Sequence, residues 1–207
     1  MIGTAVPRTP GRAAVRLAIG FLIGVAFWIA LSPPYERTLA AGAETLLRWT
    51  EWPAVTRLEA RRGEILVERA DFPPAAPRPG LPAADLHFNF VILIALFALA
   101  SKPWRGEWLG RFALASGLLW MVHVVALVFQ VRSVYATALG AWSAAHYGSF
   151  ARNFWADGFH FYQIAGRFAA PLAIWWPFAR IERPERAQEG GGRGQRRKTE
   201  TSLRVVP

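Results

Sequence analysis

Three polar side chains recur at seven-residue intervals within one long apolar run. Ser116, His123 and Gln130 lie on a single face of the helix that such a run predicts, because a helix drifts only ~20° per heptad. A serine and a histidine are the parts of an activated nucleophile, but seven residues of helix place Ser116 roughly 10 Å from His123. This separation is too long for proton transfer, so the pair does not predict covalent catalysis.

Four polar side chains form a second stripe in the next apolar run. Asp157, His160, Gln163 and Arg167 fall within about 120° on a helix that turns ~100° per residue. Counted from the outer end of this run, Arg167 lies roughly 15 Å deep, and His123 lies ~18 Å from the inner end of its own helix. We therefore expect Arg167 and His123 at similar depth on antiparallel helices.

An arginine at this depth needs partners, because a charge at the centre of a bilayer costs at least ~2.5 kcal/mol. No Asp or Glu lies at that depth within a predicted span, so we expect Arg167 to face His123 and Gln163. Pro171 lacks the N–H group that would bond the carbonyl oxygen of Arg167, which leaves that oxygen free as a further acceptor. These residues either line a polar cleft between the two helices or hold the helices together by hydrogen bonds. The candidate polar cleft consists of His123, Gln130, His160, Gln163 and Arg167.

Two further polar residues stand at the start of another apolar run. His87 and Asn89 lie at the end of this run that we place outside the cytoplasm. They form a candidate outer entrance to the polar cleft, or else they cap the helix and reach toward water.

The sequence carries no signature of a known catalytic class. It has no H-E-x-x-H, G-x-S-x-G, Walker or G-x-G-x-x-G motif. Cysteine is absent, which excludes a thiolate nucleophile and a cysteine metal site. The four histidines include no pair at i and i+4, so we expect no metal ion. The sequence therefore predicts no catalytic residue and no cofactor.

Four apolar runs set the architecture that must position these residues. A hydrocarbon core of ~30 Å needs roughly 20 helical residues, and 53% of this chain is apolar. We predict transmembrane helices at 13–32, 86–101, 112–131 and 158–178, with Ser32-Pro33-Pro34 ending the first because proline breaks the hydrogen-bond ladder. The fold class is thus an all-α membrane protein with about four transmembrane helices.

Residues 33–85 form the one sizeable segment outside the membrane. Apolar residues at helical spacing predict a short amphipathic helix on the membrane surface, with the apolar positions Tyr35, Leu39, Ala43, Leu46 and Leu47. Strands at 55–60 and 64–69 predict a β-hairpin whose turn uses Gly63 at positive φ. A run of prolines at positions 73, 74, 77, 79 and 82 predicts an extended linker.

Basic residues fix the orientation. Residues 1–12, the loop with Lys102 and Arg105, and the basic tail 179–207 carry most of the charge beside the spans. The positive-inside rule places all three in the cytoplasm, so the predicted orientation is N-in and C-in. The net charge of +10 therefore reflects topology and predicts no nucleic-acid partner. We expect the tail to be disordered, and the segment 132–157 to be an extracytoplasmic loop or an interfacial or re-entrant helix, because Ala136, Gly140 and Ala144 have small-xxx-small spacing.

Two stretches resemble a known family. Leu86-His87-Phe88-Asn89 leads into an apolar run that ends at Leu99-Ala100-Ser101, and Tyr162-Gln163 is followed by Pro171 and then Trp175. With one N-terminal anchor and a short extracytoplasmic segment, this pattern resembles the exosortase H-associated membrane proteins over about residues 10–180. Exosortases themselves use a Cys, an Arg and a His on membrane helices. This chain has no Cys and is not a cysteine transpeptidase.

The resemblance implies an accessory role. We expect a non-enzymatic inner-membrane protein of an exosortase-type protein-sorting or surface-polymer system, which binds an exosortase or another membrane protein within the lipid bilayer. The rival hypotheses are a small intramembrane enzyme or lipid-linked substrate binder that uses the polar cleft, and a solute channel subunit. The sequence leaves the oligomeric state open.

Overall fold

Helices account for most of the structure. The computed structural model describes residues 10–52, 54–71, 78–99 and 106–181. In chain order, the elements are α1 Pro10–Thr50, β1 Thr56–Arg61, β2 Glu64–Arg69, β3 Gly80–Pro82, α2 Ala84–His87, α3 Phe90–Ala98, α4 Gly106–Thr137, α5 Ala141–His146, α6 Ser149–Phe161, a π-helical segment Tyr162–Gly166 and α7 Arg167–Ile181. Two helices, Gly11–Thr50 and Gly106–Thr137, are long and apolar enough to cross a membrane. The chain is a mostly helical protein with two candidate membrane-spanning helices and a small three-stranded sheet.

Helix α1 continues through Pro33 and Pro34, so the prediction that these prolines end the first helix is wrong. A proline in a helix interior removes a backbone hydrogen bond and costs ~3 kcal/mol or more. The C-terminal half of α1 offsets this cost by packing, because Leu39, Ala43 and Leu47 are fully buried against the sheet and α4. The amphipathic helix expected on the membrane surface is therefore the continuation of α1, and its apolar face lies in the protein core.

The predicted β-hairpin is confirmed. Strands β1 and β2 pair antiparallel with Arg61 opposite Glu64. The two turn residues, Arg62 and Gly63, have φ values of 50° and 86°. Two consecutive positive φ values characterise the type I′ turn, whose twist matches that of the flanking strands.

A third strand extends the hairpin. Strand β3 pairs antiparallel with β2, so the C-terminal end of the expected proline-rich linker belongs to the sheet. Pro73, Pro74 and Pro77 of that linker lie outside the described residues. Helix α1 protects the outer edge of β1, because the backbone N–H of Leu58 donates to the Glu44 carboxylate at 2.9 Å.

Helices α2–α3 and α4 coincide with the predicted spans 86–101 and 112–131, and α4 extends beyond both ends of its span. Two glycines bring α1 close to α3. A Cβ atom on Gly20 would come within 2.5 Å of the Ala98 Cβ, and one on Gly24 within 3.1 Å of the Val91 side chain. A second apolar cluster joins α3 to α4 and contains the buried residues Leu93, Phe97, Trp108, Ala115 and Leu119.

The last helical region is longer than the predicted span 158–178. Helix α6, the π-helical segment and α7 run without a break from Ser149 to Ile181, and both α6 and α7 contact α4. The interval 132–157 contains the end of α4, the short α5 and the start of α6. Gly140 forms the turn between α4 and α5 with φ of 59°, so Ala136 and Ala144 lie on different helices and share no face. The predicted basic tail from residue 182 onward lies outside the described residues.

Candidate functional site

Polar side chains from α1, α4 and the start of α3 meet at the π-helical segment. The Tyr35 hydroxyl lies 2.5 Å from Nδ1 of His123, and Nε2 of His123 lies 2.6 Å from Oδ1 of Asn89. The Asn89 amide nitrogen donates to the Arg167 carbonyl oxygen at 3.0 Å and lies 3.4 Å from the Tyr162 hydroxyl. We refer to these five residues as the polar cluster.

One arrangement of hydrogen atoms satisfies the polar cluster. The carbonyl oxygen of Arg167 can only accept, so the amide nitrogen of Asn89 faces it and the amide oxygen faces His123. Nε2 of His123 therefore carries the proton and donates it to Asn89. Nδ1 then accepts the hydroxyl proton of Tyr35. The network requires a neutral His123 with its proton on Nε2.

Interruptions of the helical backbone position the acceptors of this network. Pro171 leaves the Arg167 carbonyl free, as the sequence predicts, and Asn89 donates to that carbonyl. Asn89 itself lies in the break between α2 and α3. Tyr162 begins the π-helical segment, and its hydroxyl donates to the Leu86 carbonyl at 2.6 Å. A π-helical turn contains an extra residue and thereby redirects the side chains that follow it.

The centre of the polar cluster is buried, while Tyr35 and Arg167 at its margins are half-buried. His123 is 0% exposed, and Asn89 and Tyr162 are buried. Both ring nitrogens of His123 have hydrogen-bond partners within the protein, Tyr35 at Nδ1 and Asn89 at Nε2. The hydrogen bonds link α1, α4, α7, the π-helical segment and the break between α2 and α3. Removing either partner of His123 would leave a buried polar atom unpaired.

A second pair of polar groups lies beside the polar cluster. Nε1 of Trp28 donates to Nδ1 of His87 at 2.9 Å, so Nδ1 is unprotonated and the ring proton lies on Nε2. This Nε2 lies 3.5 Å from the Glu36 carboxylate and has no hydrogen-bond partner among the described residues. Both His87 and Glu36 are buried. The Tyr35 ring lies between the two histidines, 5.2 Å from the His87 ring and 5.9 Å from the His123 ring.

The structure brings some of the predicted site residues together and separates others. His123 and Asn89 are joined by a hydrogen bond, and His87 lies on the other side of the Tyr35 ring from His123. The expected outer entrance is thus part of the buried site. The remaining candidates lie outside the polar cluster: Gln130 is buried with its Oε1 unpaired among the described residues, Gln163 is half-buried and His160 is exposed.

The Arg167 side chain differs from its expected placement. Instead of facing His123 and Gln163, its guanidinium lies 3.5 Å from the Asp85 carboxylate and is partly exposed. Two physical reasons account for this. The π-helical segment rotates the helix after position 162, so the stripe counted at 100° per residue does not continue to Arg167. Asp85 lies just outside the predicted span 86–101 and was therefore not predicted as a partner of Arg167.

Several residues of the site were not predicted from the sequence. Tyr35 and Glu36 were assigned to a separate surface helix because the prolines before them were expected to end α1. Trp28 was treated as part of an apolar run, although an indole N–H at this depth needs an acceptor. The buried face that Tyr35 shares with Leu39 was the available signal, since a continuous α1 would have placed it opposite α4.

A charged network joins the C-terminal end of α1 to β2 and α4. Arg69 lies 2.8 Å from the Asp71 carboxylate and 3.4 Å from Glu51, and Glu51 is also 3.7 Å from Arg132. Arg132 donates to the Thr50 hydroxyl at 3.0 Å. The hydrogen bond from Arg69 lowers the pKa of Asp71 below its usual range. This network fastens the end of α1 to β2 and α4.

Among the described residues, no group of three or more His, Asp or Glu side chains is arranged to hold a metal ion. No protein-family model matches the chain, and no match was found among curated proteins or solved structures.

Proposed function

We propose that the chain is a non-enzymatic accessory protein of a bacterial cytoplasmic membrane, acting in an exosortase-type protein-sorting or surface-polymer system. In this proposal the chain crosses the membrane four times, through α1, α2–α3, α4 and the helix from α6 to α7. Both termini lie in the cytoplasm, while the sheet, the C-terminal half of α1 and α5 lie outside. The Lys and Arg residues beside the inner ends of the helices support this orientation.

The burial of His123 at the centre of the polar cluster is the observation that supports a non-enzymatic role. A general base or nucleophile must reach its substrate, directly or through one water molecule. His123, the most deeply buried polar group of the site, is enclosed and has both nitrogens occupied. Hydrogen bonds of this kind between membrane helices stabilise a bundle by ~0.6 kcal/mol each on average. We infer that the polar cluster fixes the relative positions of the helices.

The rival hypothesis, an intramembrane enzyme, has less support from the geometry. It needs His123, His160 and Arg167 to converge on one open cleft. His123 is buried, His160 is exposed, and the Arg167 guanidinium pairs with Asp85. These three side chains form no common site in the described part of the chain.

Exposed tryptophans on the proposed extracytoplasmic side favour a protein partner. Trp49 is 82% exposed near the end of α1, and Trp52, three residues later, is 98% exposed. Large rings are usually buried at least in part, and tryptophan is enriched in the few residues that dominate binding at protein interfaces. In the proposal these two rings contact the exosortase or other membrane protein that the family resemblance implies.

Site-specific crosslinking in the native host tests this proposal. A photoreactive amino acid at Trp49 or Trp52 should crosslink to one multi-pass membrane protein, identified by mass spectrometry as an enzyme of sorting or of surface-polymer synthesis. The same amino acid at the exposed Arg57 of β1 is the matched control. The double variant Trp49→Ala, Trp52→Ala should reach normal membrane abundance yet impair sorting. Substrate processing by the purified chain alone would contradict the proposal.

A further inference from the structure

A groove runs between α1 and the segment that contains α2 and α3. Its volume is about 70 Å³, and Phe27 and Leu31 of α1 form one wall while Phe90 of α3 forms part of the other. By this measure a space of ~10–15 Å³ holds one water molecule. If a methylene group is counted as about the size of a water molecule, the groove holds roughly five methylene groups. The groove therefore fits a short stretch of hydrocarbon chain.

Three polar groups along this groove have hydrogen-bond partners within the protein. The Ser32 hydroxyl donates to the Trp28 carbonyl at 2.6 Å, and Nε1 of Trp28 donates to His87 at 2.9 Å. The Tyr35 hydroxyl is engaged with His123. The surface that remains is almost wholly apolar. Water in such a groove would lack the two to four polar partners it needs, so an apolar occupant is favoured.

The position of the groove identifies the source of that occupant. Phe27 is 53% exposed and Leu31 is 45% exposed, and both belong to the apolar length of α1 that is a candidate membrane span. The groove is thus continuous with the surface that lipid would cover. Leu31 lies roughly 22 Å along α1 from Arg16, which places the groove in the outer half of a ~30 Å hydrocarbon core.

We propose that this groove binds the acyl chain of an outer-leaflet phospholipid. This inference rests on the membrane location in the proposed function. The acyl chain of the lipid lies against Leu31 and Phe90, and it excludes water from the Trp28–His87 hydrogen bond beneath it. Because the walls carry no charged group, the site recognises the hydrocarbon chain and does not select the headgroup.

Photolabelling with a lipid probe tests the groove directly. The full-length protein is reconstituted in vesicles of phosphatidylethanolamine and phosphatidylglycerol that contain a phospholipid with a diazirine in its acyl chain. Adducts should concentrate on the peptides that contain Phe27–Tyr35 and Phe90. Leu31→Trp fills the groove, and Ile29→Trp places the same ring at a 64% exposed position outside it as the matched control. Labelling of the groove should fall about tenfold in the first variant only, since two displaced methylene groups account for that factor.

Each outcome decides the proposal. Equal labelling in Leu31→Trp and Ile29→Trp would overturn it, and Phe27→Trp serves as the second groove variant if Leu31→Trp does not fold. Displacement of the phospholipid probe by a stoichiometric amount of a polyprenyl phosphate would also overturn it, because the occupant would then be an isoprenoid chain. Reporter fusions test membrane insertion separately. A correctly inserted chain without groove labelling refutes the groove alone, whereas a chain that does not insert refutes the proposed function.

Discussion

The Asn89 side chain donates a hydrogen bond to the main chain of Arg167, while the Arg167 side chain pairs with Asp85. The Asn89 amide donates to the Arg167 carbonyl at 3.0 Å, an acceptor that is free because Pro171 has no N–H. The guanidinium instead lies 3.5 Å from Asp85 in a partly exposed ion pair. The two parts of Arg167 therefore have separate roles. The carbonyl ties α7 to the polar cluster, and the side chain contributes only a surface pair.

Replacing Asn89 with leucine should strongly destabilise the fold. The change leaves the Nε2–H of His123 and the carbonyl of Arg167 buried without partners, and each unpaired group costs ~1–3 kcal/mol. We expect the free energy of unfolding to fall by about 2–6 kcal/mol. Equilibrium unfolding in detergent measures it, with Asn153→Leu at an exposed position of α6 as the control. A loss no greater than that of the control would show that the polar cluster is not structural.

Removing the Tyr35 hydroxyl tests the proton arrangement. Tyr35→Phe keeps the ring but leaves Nδ1 of His123 without its donor, so the free energy of unfolding should fall by ~1–3 kcal/mol. Nitrogen NMR of the imidazole should show the Nε2–H tautomer in the parent protein. The half-buried Tyr147 provides the control Tyr147→Phe, which we expect to change stability little. Detection of the Nδ1–H tautomer in the parent would contradict the network.

Topology reporters test the four-pass orientation. Fusions of alkaline phosphatase and of a cytoplasmic reporter at Gly80 and at Pro207 should behave oppositely, because the Lys and Arg bias retains the C-terminus in the cytoplasm. Phosphatase activity is expected at Gly80 only. Activity at the Pro207 fusion would require an odd number of passes and would contradict the proposed orientation.

Acid should weaken the charged network at Asp71. The hydrogen bond from Arg69 holds the pKa of Asp71 below its ordinary value of about 3.9. A carboxylate whose pKa is lower in the folded state stabilises the fold above its unfolded pKa and loses that contribution as pH falls through the folded pKa. Unfolding measured below about pH 4 should show this loss, and Asp71→Asn should reduce the slope. The effect is small because Asp71 is exposed, and the exposed Asp157→Asn is the control.

The parts of the fold that depend on local chemistry could be predicted from the sequence. The hairpin was predicted because a glycine between two alternating strands specifies its own turn, and Gly63 has the required φ. The free carbonyl at Arg167 was predicted because a proline four residues later removes its donor regardless of tertiary structure. His123 was singled out because a polar residue in an apolar run needs a partner.

The remaining features depend on tertiary packing. Helix α1 continues through Pro33 and Pro34 because its C-terminal half is stabilised by packing against the sheet and α4. This packing is not visible in any local sequence pattern. Because the first helix was predicted to end at these prolines, Tyr35 was not predicted to be the donor to His123. The π-helical segment was also not predicted, because one inserted residue does not change the composition of a helix. It does rotate the side-chain positions that follow Tyr162.

The last prediction separates the two roles of Arg167. Arg167→Leu removes the guanidinium and leaves the carbonyl in place, so the Asn89 hydrogen bond should persist. The lost partner, Asp85, is exposed and can be hydrated, and exposed ion pairs contribute only ~0–1 kcal/mol. We therefore expect the free energy of unfolding to change by less than about 1 kcal/mol, with normal abundance in the membrane.

A double-mutant cycle with Asp85→Asn should give a coupling energy in the same ~0–1 kcal/mol range. A loss comparable to that of Asn89→Leu would place the side chain within the buried network and contradict the assignment. Function provides an independent readout. If Arg167→Leu and Arg167→Lys both keep normal abundance but lose sorting, the planar guanidinium contacts a partner in addition to Asp85, since a lysine supplies the charge without the fork. Full sorting by both variants would limit Arg167 to its main-chain role.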